Sequence, residues 1–330
     1  MVRFTYLAIL LVFIAKGPSY SQKSFTRADT LRGSITLERA WWDLNYYHLA
    51  IEIFPETKSI KGSNTIRYKI LSENQVLQLD LQEPLNITSI KQAGEELQFK
   101  REGAAHFVTL KKKQVPGNFE ELIVFYEGQP KEAIRPPWDG GLTWTEDSNG
   151  QPLIASSNQG IGSSIWWPLK DHPADEVDSL RISVTVPKGL MDISNGRLLG
   201  IELGEKTDTF HWSVVNPIND YGVNINIGDY VHFGEEFEGE KGILDMDYFV
   251  LRENLEKAKV HFQDARRMME AFEHWFGPYP FYEDGFKLVD APYLGMEHQS
   301  SVTYGNGYQM GYRGRDLSGT GWGLKFDFII

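Results

Sequence analysis

The chain has 330 residues, 41% apolar and 13% aromatic, which is ample for sizeable cores and, by length, for about two domains. Its 33 basic residues face 45 acidic ones, a net charge of −12, and its longest basic block is Lys111-Lys112-Lys113, so the concentrated positive footprint that nucleic acid requires is missing. With no cysteine there is no disulfide framework, no thiolate metal site and no lipid attachment point after a leader.

The chain opens MVRFTYLAILLVFIAKGPSYSQ: Arg3, an apolar run from about Tyr6 to Ala15, Gly17-Pro18, then Ser19-Tyr20-Ser21. That pattern predicts a secretory signal over residues 1–21, cut before Gln22, and hence a secreted or periplasmic product. A membrane anchor is the alternative reading. The apolar run is too short to span comfortably, so no stable span is expected after cleavage. Asn86-Ile87-Thr88 is a glycosylation sequon, a triplet that arises near chance in a chain this long.

From about Tyr46 to Phe233 the apolar residues alternate with period two, the signature of half-buried strands. Tyr47, Leu49, Ile51 and Ile53 alternate, as do Ile66, Tyr68 and Ile70, then Leu77, Leu79 and Leu81, Ile182, Val184 and Val186, and Val223, Ile225 and Ile227. Turn residues punctuate them at Pro55, Lys61-Gly62, Pro116-Gly117, Asn149-Gly150 and Asn195-Gly196. The expectation is mainly β: one large antiparallel domain over residues 22–234. The acidic stretch 234-GEEFEGEKG-242 is predicted to be a solvated turn.

At Leu251 the period changes. Leu251, Leu255, Ala258, Phe262, Ala265, Met269, Phe272 and Phe276 recur at steps of four and three, predicting one amphipathic helix of roughly seven turns, stopped by Gly277-Pro278. Its stripe reads as core. A strand from Phe286 to Asp290 and a second around Ser301 to Tyr304 are predicted next, with an Asn306-Gly307 turn. The segment 321-GWGLKFDFII-330 is predicted to begin a helix carrying Trp322, Phe326, Ile329 and Ile330, and its uncapped apolar end suggests that the chain stops inside an element.

No two of the eight histidines stand four apart, so the His-Glu-x-x-His zinc signature is absent; His261 and His274 are over three turns apart on the predicted helix. There is no Gly-x-Ser-x-Gly elbow, and 319-GTGWG-323 follows a polar loop instead of a strand, which speaks against a nucleotide fingerprint. No catalytic residue and no metal ligand is therefore assigned in this chain. What stands out is Glu297 in 293-YLGMEHQSSVTYGNGY-308, a carboxylate in a segment apolar enough to be buried. In a cleft rimmed by Tyr293 and Met296 it needs a cationic partner, either a Lys or Arg of the chain or a substrate ammonium group. The residues alone favour the internal salt bridge.

From about Tyr46 to Ile330 the chain resembles the N-terminal part of the aminopeptidase-N family of zinc aminopeptidases. Leu294-Gly295-Met296-Glu297-His298 falls on the family's Gly-Ala-Met-Glu-Asn motif, with Leu294 and His298 as departures. In 159-QGIGSSIWWPLKDHP-173, Gln159, Pro168, Asp171 and Pro173 match a second family segment, whose usual Arg and Cys are here Ser164 and Leu169. Phe276-Gly277-Pro278-Tyr279-Pro280 fits the family's Gly-x-Tyr-Pro after the long helix.

The resemblance implies a saddle-shaped N-terminal β domain followed, from residue 235, by the first α+β part of a thermolysin-like catalytic domain. It implies that Glu297, helped by Gln159, binds the free α-amine of a peptide, that Tyr293 lines the first side-chain pocket, and that the main chain at Gly295 and Met296 touches the peptide. Zn2+ is the cofactor the family implies. Its zinc helix begins just past the point that Ile330 matches, so the 330 residues alone are expected to be inactive and without stoichiometric zinc. Two rival readings stand beside this one. One is a protein that holds peptide N-termini without cutting them. The other is a carbohydrate-binding β-sandwich, prompted by Trp41-Trp42, Trp166-Trp167, Trp138 and Trp144, residues that core packing also explains.

Overall fold

A computed structural model describes residues 24–330; the leader predicted over residues 1–21 lies outside the described residues. The alternation read from the sequence becomes strands. In Trp42–Phe54 the side chains of Tyr47, Leu49, Ile51 and Ile53 are buried, while every second neighbour reaches solvent or the sheet's other face. This strand lies within an eight-stranded sheet whose order is Arg197–Leu203, Thr207–Val214, Ser179–Pro187, Trp42–Phe54, Ser59–Ile70, Phe119–Gly128, Asn86–Gln92 and Glu95–Glu96. Most neighbours are antiparallel, but Trp42–Phe54 and Ser179–Pro187 run parallel, Leu49 facing Ile182 and Ile51 facing Val184. More than a hundred residues separate the two, so no hairpin constrains their direction.

A four-stranded and a three-stranded sheet complete the first unit, and all three sheets are open. Between them lies a core in which Trp41, Trp42, Trp166 and Trp167 are almost fully buried. The Tyr47 and Trp167 rings meet edge to face at 5.0 Å, and the Trp42 and Tyr68 rings at 5.5 Å. These indoles cannot form a sugar platform. Trp144 is half-buried against the core and Trp138 is exposed.

The second unit is a five-stranded mixed sheet, in the order Tyr230–Gly239, Gly242–Leu251, Phe286–Asp290, Val302–Tyr304 and Gly295–Met296. Here the structure corrects three expectations. The acidic stretch is no free turn: it forms most of one arm of a hairpin, with Glu235 bound to Arg266 and to the Tyr248 hydroxyl. Leu251 ends a strand, and the expected single helix is two, Leu255–His261 and Gln263–Phe276, separated at Phe262. Phe262 is buried among the rings of Tyr248, Tyr304 and Tyr308, and that aromatic anchorage coincides with the break. The apolar stripe stops being core at Met269; Phe272 and Phe276 are exposed.

The third correction concerns the final segment. It makes only a 3-10 turn at Trp322–Leu324, after which Asp327 is drawn inward as an acceptor for His261 at 2.6 Å, Tyr304 at 2.7 Å and Asn306 at 2.8 Å. A buried carboxylate with these donors fixes an irregular path where the apolar spacing had suggested a helix.

Candidate functional site

The segment from Tyr293 to Ser301 is clamped from both units. Strand Gly295–Met296 pairs with Tyr304 and Thr303, and Gly305 donates its N–H to the Leu294 carbonyl at 2.9 Å. From the first unit, Asn195 donates to the Gln299 carbonyl at 2.6 Å, the Gly196 N–H to Ser300 Oγ at 2.9 Å, and Asn224 to the Ser301 carbonyl at 2.9 Å. Gly295 has φ +146°, and a Cβ there would come within 2.8 Å of the Thr303 carbonyl and 2.7 Å of Ile329. The room this glycine keeps is thus already taken by the protein's own chain.

Tyr293 and Met296 do not rim a cleft as expected. Both are buried, packed with Ala155 and with the partly buried Tyr221, and the Tyr293 hydroxyl donates to the Ser156 carbonyl at 2.7 Å. The buried hydroxyl is satisfied, and Tyr293 serves as a bolt between the two units.

Glu297 is exposed, contrary to the burial expected of its segment. Among the described residues no Lys, Arg or His lies within ion-pair distance of it; its Oε1 accepts instead from the Tyr221 hydroxyl at 2.9 Å. Burial, and then the hydrogen bond and negative charge of Glu297, push the Tyr221 phenol well above its ordinary range, so it remains a donor. Tyr221 lies in the turn Asp220–Gly222, whose cap is Asn219 accepting the Tyr221 N–H at 2.9 Å.

Gln159 follows strand Pro152–Ser157 and is half-buried. No hydrogen bond joins it to Glu297 among the described residues, but its neighbour Asn158 links the two. The Asn158 amide donates to the carbonyls of Tyr221 at 3.0 Å and Val223 at 2.9 Å, while its oxygen accepts from Trp166 at 3.0 Å. Lower in the same loop, Ser164 Oγ donates to Asp171 at 2.5 Å, and desolvation and then the negative charge of Asp171 raise the half-buried Asp220 carboxyl. Sequence reasoning missed Tyr221 and Asn158. The Asn219-Asp220-Tyr221-Gly222 turn composition was visible, but nothing local pointed to a contact 76 residues away.

His298 is 1% exposed, with Nδ1 3.5 Å from Thr303 Oγ1 and Nε2 without a partner among the described residues; burial lowers it to about 3, so the imidazole is neutral. Beside it lies an open cavity of about 630 Å³, lined by Glu297 and His298 and by apolar residues that include Met269, Phe272, Phe276 and Ile329. The lining is mostly apolar, with Glu297, Glu273, Gln299 and Ser300 as its polar members beside the neutral His298. Zinc needs three or four N, S or O ligands converging on one point. Among the described residues no group of three His, Asp or Glu is so placed, and these residues do not fit the metal.

No protein-family model matches the chain, and no curated protein does. Among solved structures it is similar to the M1 zinc metallopeptidase of Deinococcus radiodurans, with a TM-score of 0.70 and 19% identity, over 82% of this chain and 61% of that one. A mutant of that enzyme bound to a Tyr-Ser-Ala substrate matches with a TM-score of 0.69 and 19% identity, over 82% and 62%. A two-domain M1 zinc metallopeptidase mutant bound to L-arginine matches at 0.68 and 19%, over 81% and 60%. The chain spans about three fifths of the length of the structures it matches. At this identity the likeness is one of fold, and the mainly β architecture of open sheets is that of the N-terminal domain of M1 peptidases.

Proposed function

We propose that this chain is the substrate-binding portion of an exported zinc metallo-aminopeptidase, with a β domain over residues 22–234 and the start of a thermolysin-like catalytic domain from residue 235. In this reading Glu297, with Gln159 on the loop beside it, receives the free α-amine of a peptide. Gly295 and Met296 run beneath the peptide main chain, and Tyr293 holds that wall in place. The observation that carries the reading is Glu297 itself: an exposed carboxylate without a cationic partner among the described residues, oriented by the Tyr221 phenol and carried on a segment clamped from both units. An ammonium group would supply the missing counter-charge, and the adjoining apolar cavity would desolvate the pair.

Zinc would supply an activated water and a polarised carbonyl in the whole enzyme. The residues described hold, orient and exclude water from one end of the substrate. The test is titration calorimetry with alanyl tripeptides that are free or N-acetylated. Free peptides are expected to bind roughly tenfold to a hundredfold more tightly, a difference lost in Glu297→Gln. Equal binding of the two peptides sinks the proposal. The chain alone is expected not to hydrolyse aminoacyl anilides, and chelator-sensitive hydrolysis would contradict that. Export rests on the leader at residues 1–21 and is tested by N-terminal sequencing of the secreted product, with Gln22 expected first.

A further inference from the structure

A second charged group is without a use so far. Arg313 is exposed, and among the described residues no carboxylate lies within ion-pair distance of it. In a chain of net charge −12 an unpaired guanidinium is notable, the more so when it is held. Its Cζ lies 5.8 Å from the centre of the Trp138 ring. Its backbone, at φ +51°, is fixed by an N–H donated to Asn306 Oδ1 at 2.8 Å. Asn306 is buried and donates in turn to the Gln309 and Gly311 carbonyls and to Asp327. Holding a non-glycine residue in the left-handed region costs free energy, and this network offsets that cost.

Trp138 is equally placed. It is 48% exposed, and two residues on Gly140 donates its N–H to the Gln159 carbonyl at 3.1 Å. Asp139, between them, is already paired with Arg135 at 3.0 Å, and Ser157 Oγ donates to its carbonyl at 3.5 Å. The cation of one unit is thus laid on an aromatic ring of the other, one short loop away from Gln159. A guanidinium resting on an indole keeps its N–H edge free, and that edge matches a carboxylate fork to fork.

We propose that Arg313 on Trp138 is a carboxylate-binding subsite that takes the far end of a short peptide whose amine is held at Glu297. The proposal rests on the amine-anchor reading above and makes the preferred substrate a short peptide with a free C-terminus. A peptide whose acidic side chain reaches the same point offers the same chemistry.

The test uses the full chain and alanyl peptides of two to six residues, each as free acid and as C-terminal amide, with binding read by calorimetry and by Trp fluorescence. The acid is expected to bind about tenfold more tightly than the amide at one favoured length, and the ratio to fall to about one in Arg313→Gln, with Arg313→Lys between. The effect of N-acetylation is expected to survive in Arg313→Gln. Equal binding of acid and amide at every length overturns the subsite while leaving the amine anchor standing, as does an acid preference that persists in Arg313→Gln. A preference for the acid without any effect of acetylation overturns the anchor and keeps the subsite. Should no peptide bind, both fall. If Arg313→Gln does not fold, the acid and amide pair on the unaltered chain still decides. An amide peptide carrying Glu that matches the free acid identifies the side chain as the source of the carboxylate.

Discussion

At the residue scale the site is defined by who donates to Glu297. The Tyr221 hydroxyl is the donor seen, and it orients a carboxylate that would otherwise sample several rotamers. Tyr221→Phe keeps the ring and removes the bond, so the preference for free over acetylated peptides is expected to fall about threefold to tenfold, checked by calorimetry, with unfolding free energy changed by less than about 1 kcal/mol. His298 offers a pH test. Its folded value of about 3 lies below the ordinary histidine value, so the unfolded chain binds the extra proton between about 6.5 and 3. The contribution is therefore complete above that window and is lost as pH falls through it. Going from pH 7 to pH 5, His298→Asn is expected to lose up to about 2 kcal/mol less stability than the parent, measured by urea unfolding at the two values. His106, lowered to about 4 by burial, adds a parallel loss in both proteins.

At the element scale the last segment is instructive. Its spacing of Trp322, Phe326, Ile329 and Ile330 is helical, yet Asp327 anchors it through His261, Tyr304 and Asn306, and bonds of this kind outweigh a weak local propensity. Asp327→Ala leaves the buried His261 and Tyr304 groups unpaired and takes one acceptor from Asn306, so a loss of roughly 3 kcal/mol is expected in chemical denaturation, together with weaker acid-over-amide discrimination, because Asn306 positions Arg313. The helix break at Phe262 was equally illegible. The stripe from Leu255 to Met269 reads as continuous, and only the packing of Tyr248, Tyr304 and Tyr308 around Phe262 shows where the axis shifts.

At the scale of the whole molecule the two units are joined by buried polar contacts. Lys287 is the clearest: fully buried, it donates to the Gly196 carbonyl and lies over Trp212 at 5.2 Å. Burial lowers it to about 7, against the opposing pull of Asp247 and Asp284. Between about 7 and 10.4 the unfolded chain binds the extra proton, so this group's contribution rises with pH across that interval and is smallest at and below 7. Relative to Lys287→Met, the parent is expected to gain up to about 3 kcal/mol between pH 7 and pH 9, read from unfolding free energies. An unchanged difference would show that Lys287 stays charged in the folded chain.

The sequence by itself determined the mainly β first unit and the strand at Phe286 to Asp290, because period and turn chemistry are local signals; Glu297 stood out as a carboxylate in an apolar stretch, and Gln159 only through resemblance to a family segment. It also showed Trp41-Trp42 and Trp166-Trp167 as pairs, though burial was needed to place them in the core. The tertiary structure decided that Glu297 is exposed, that a phenol rather than a lysine or arginine orients it, and that Arg313 rests on Trp138. Those are contacts across 76 and 175 residues of chain, and no local preference records which distant side chain will arrive. Only the packing of one unit against the other selects the partner.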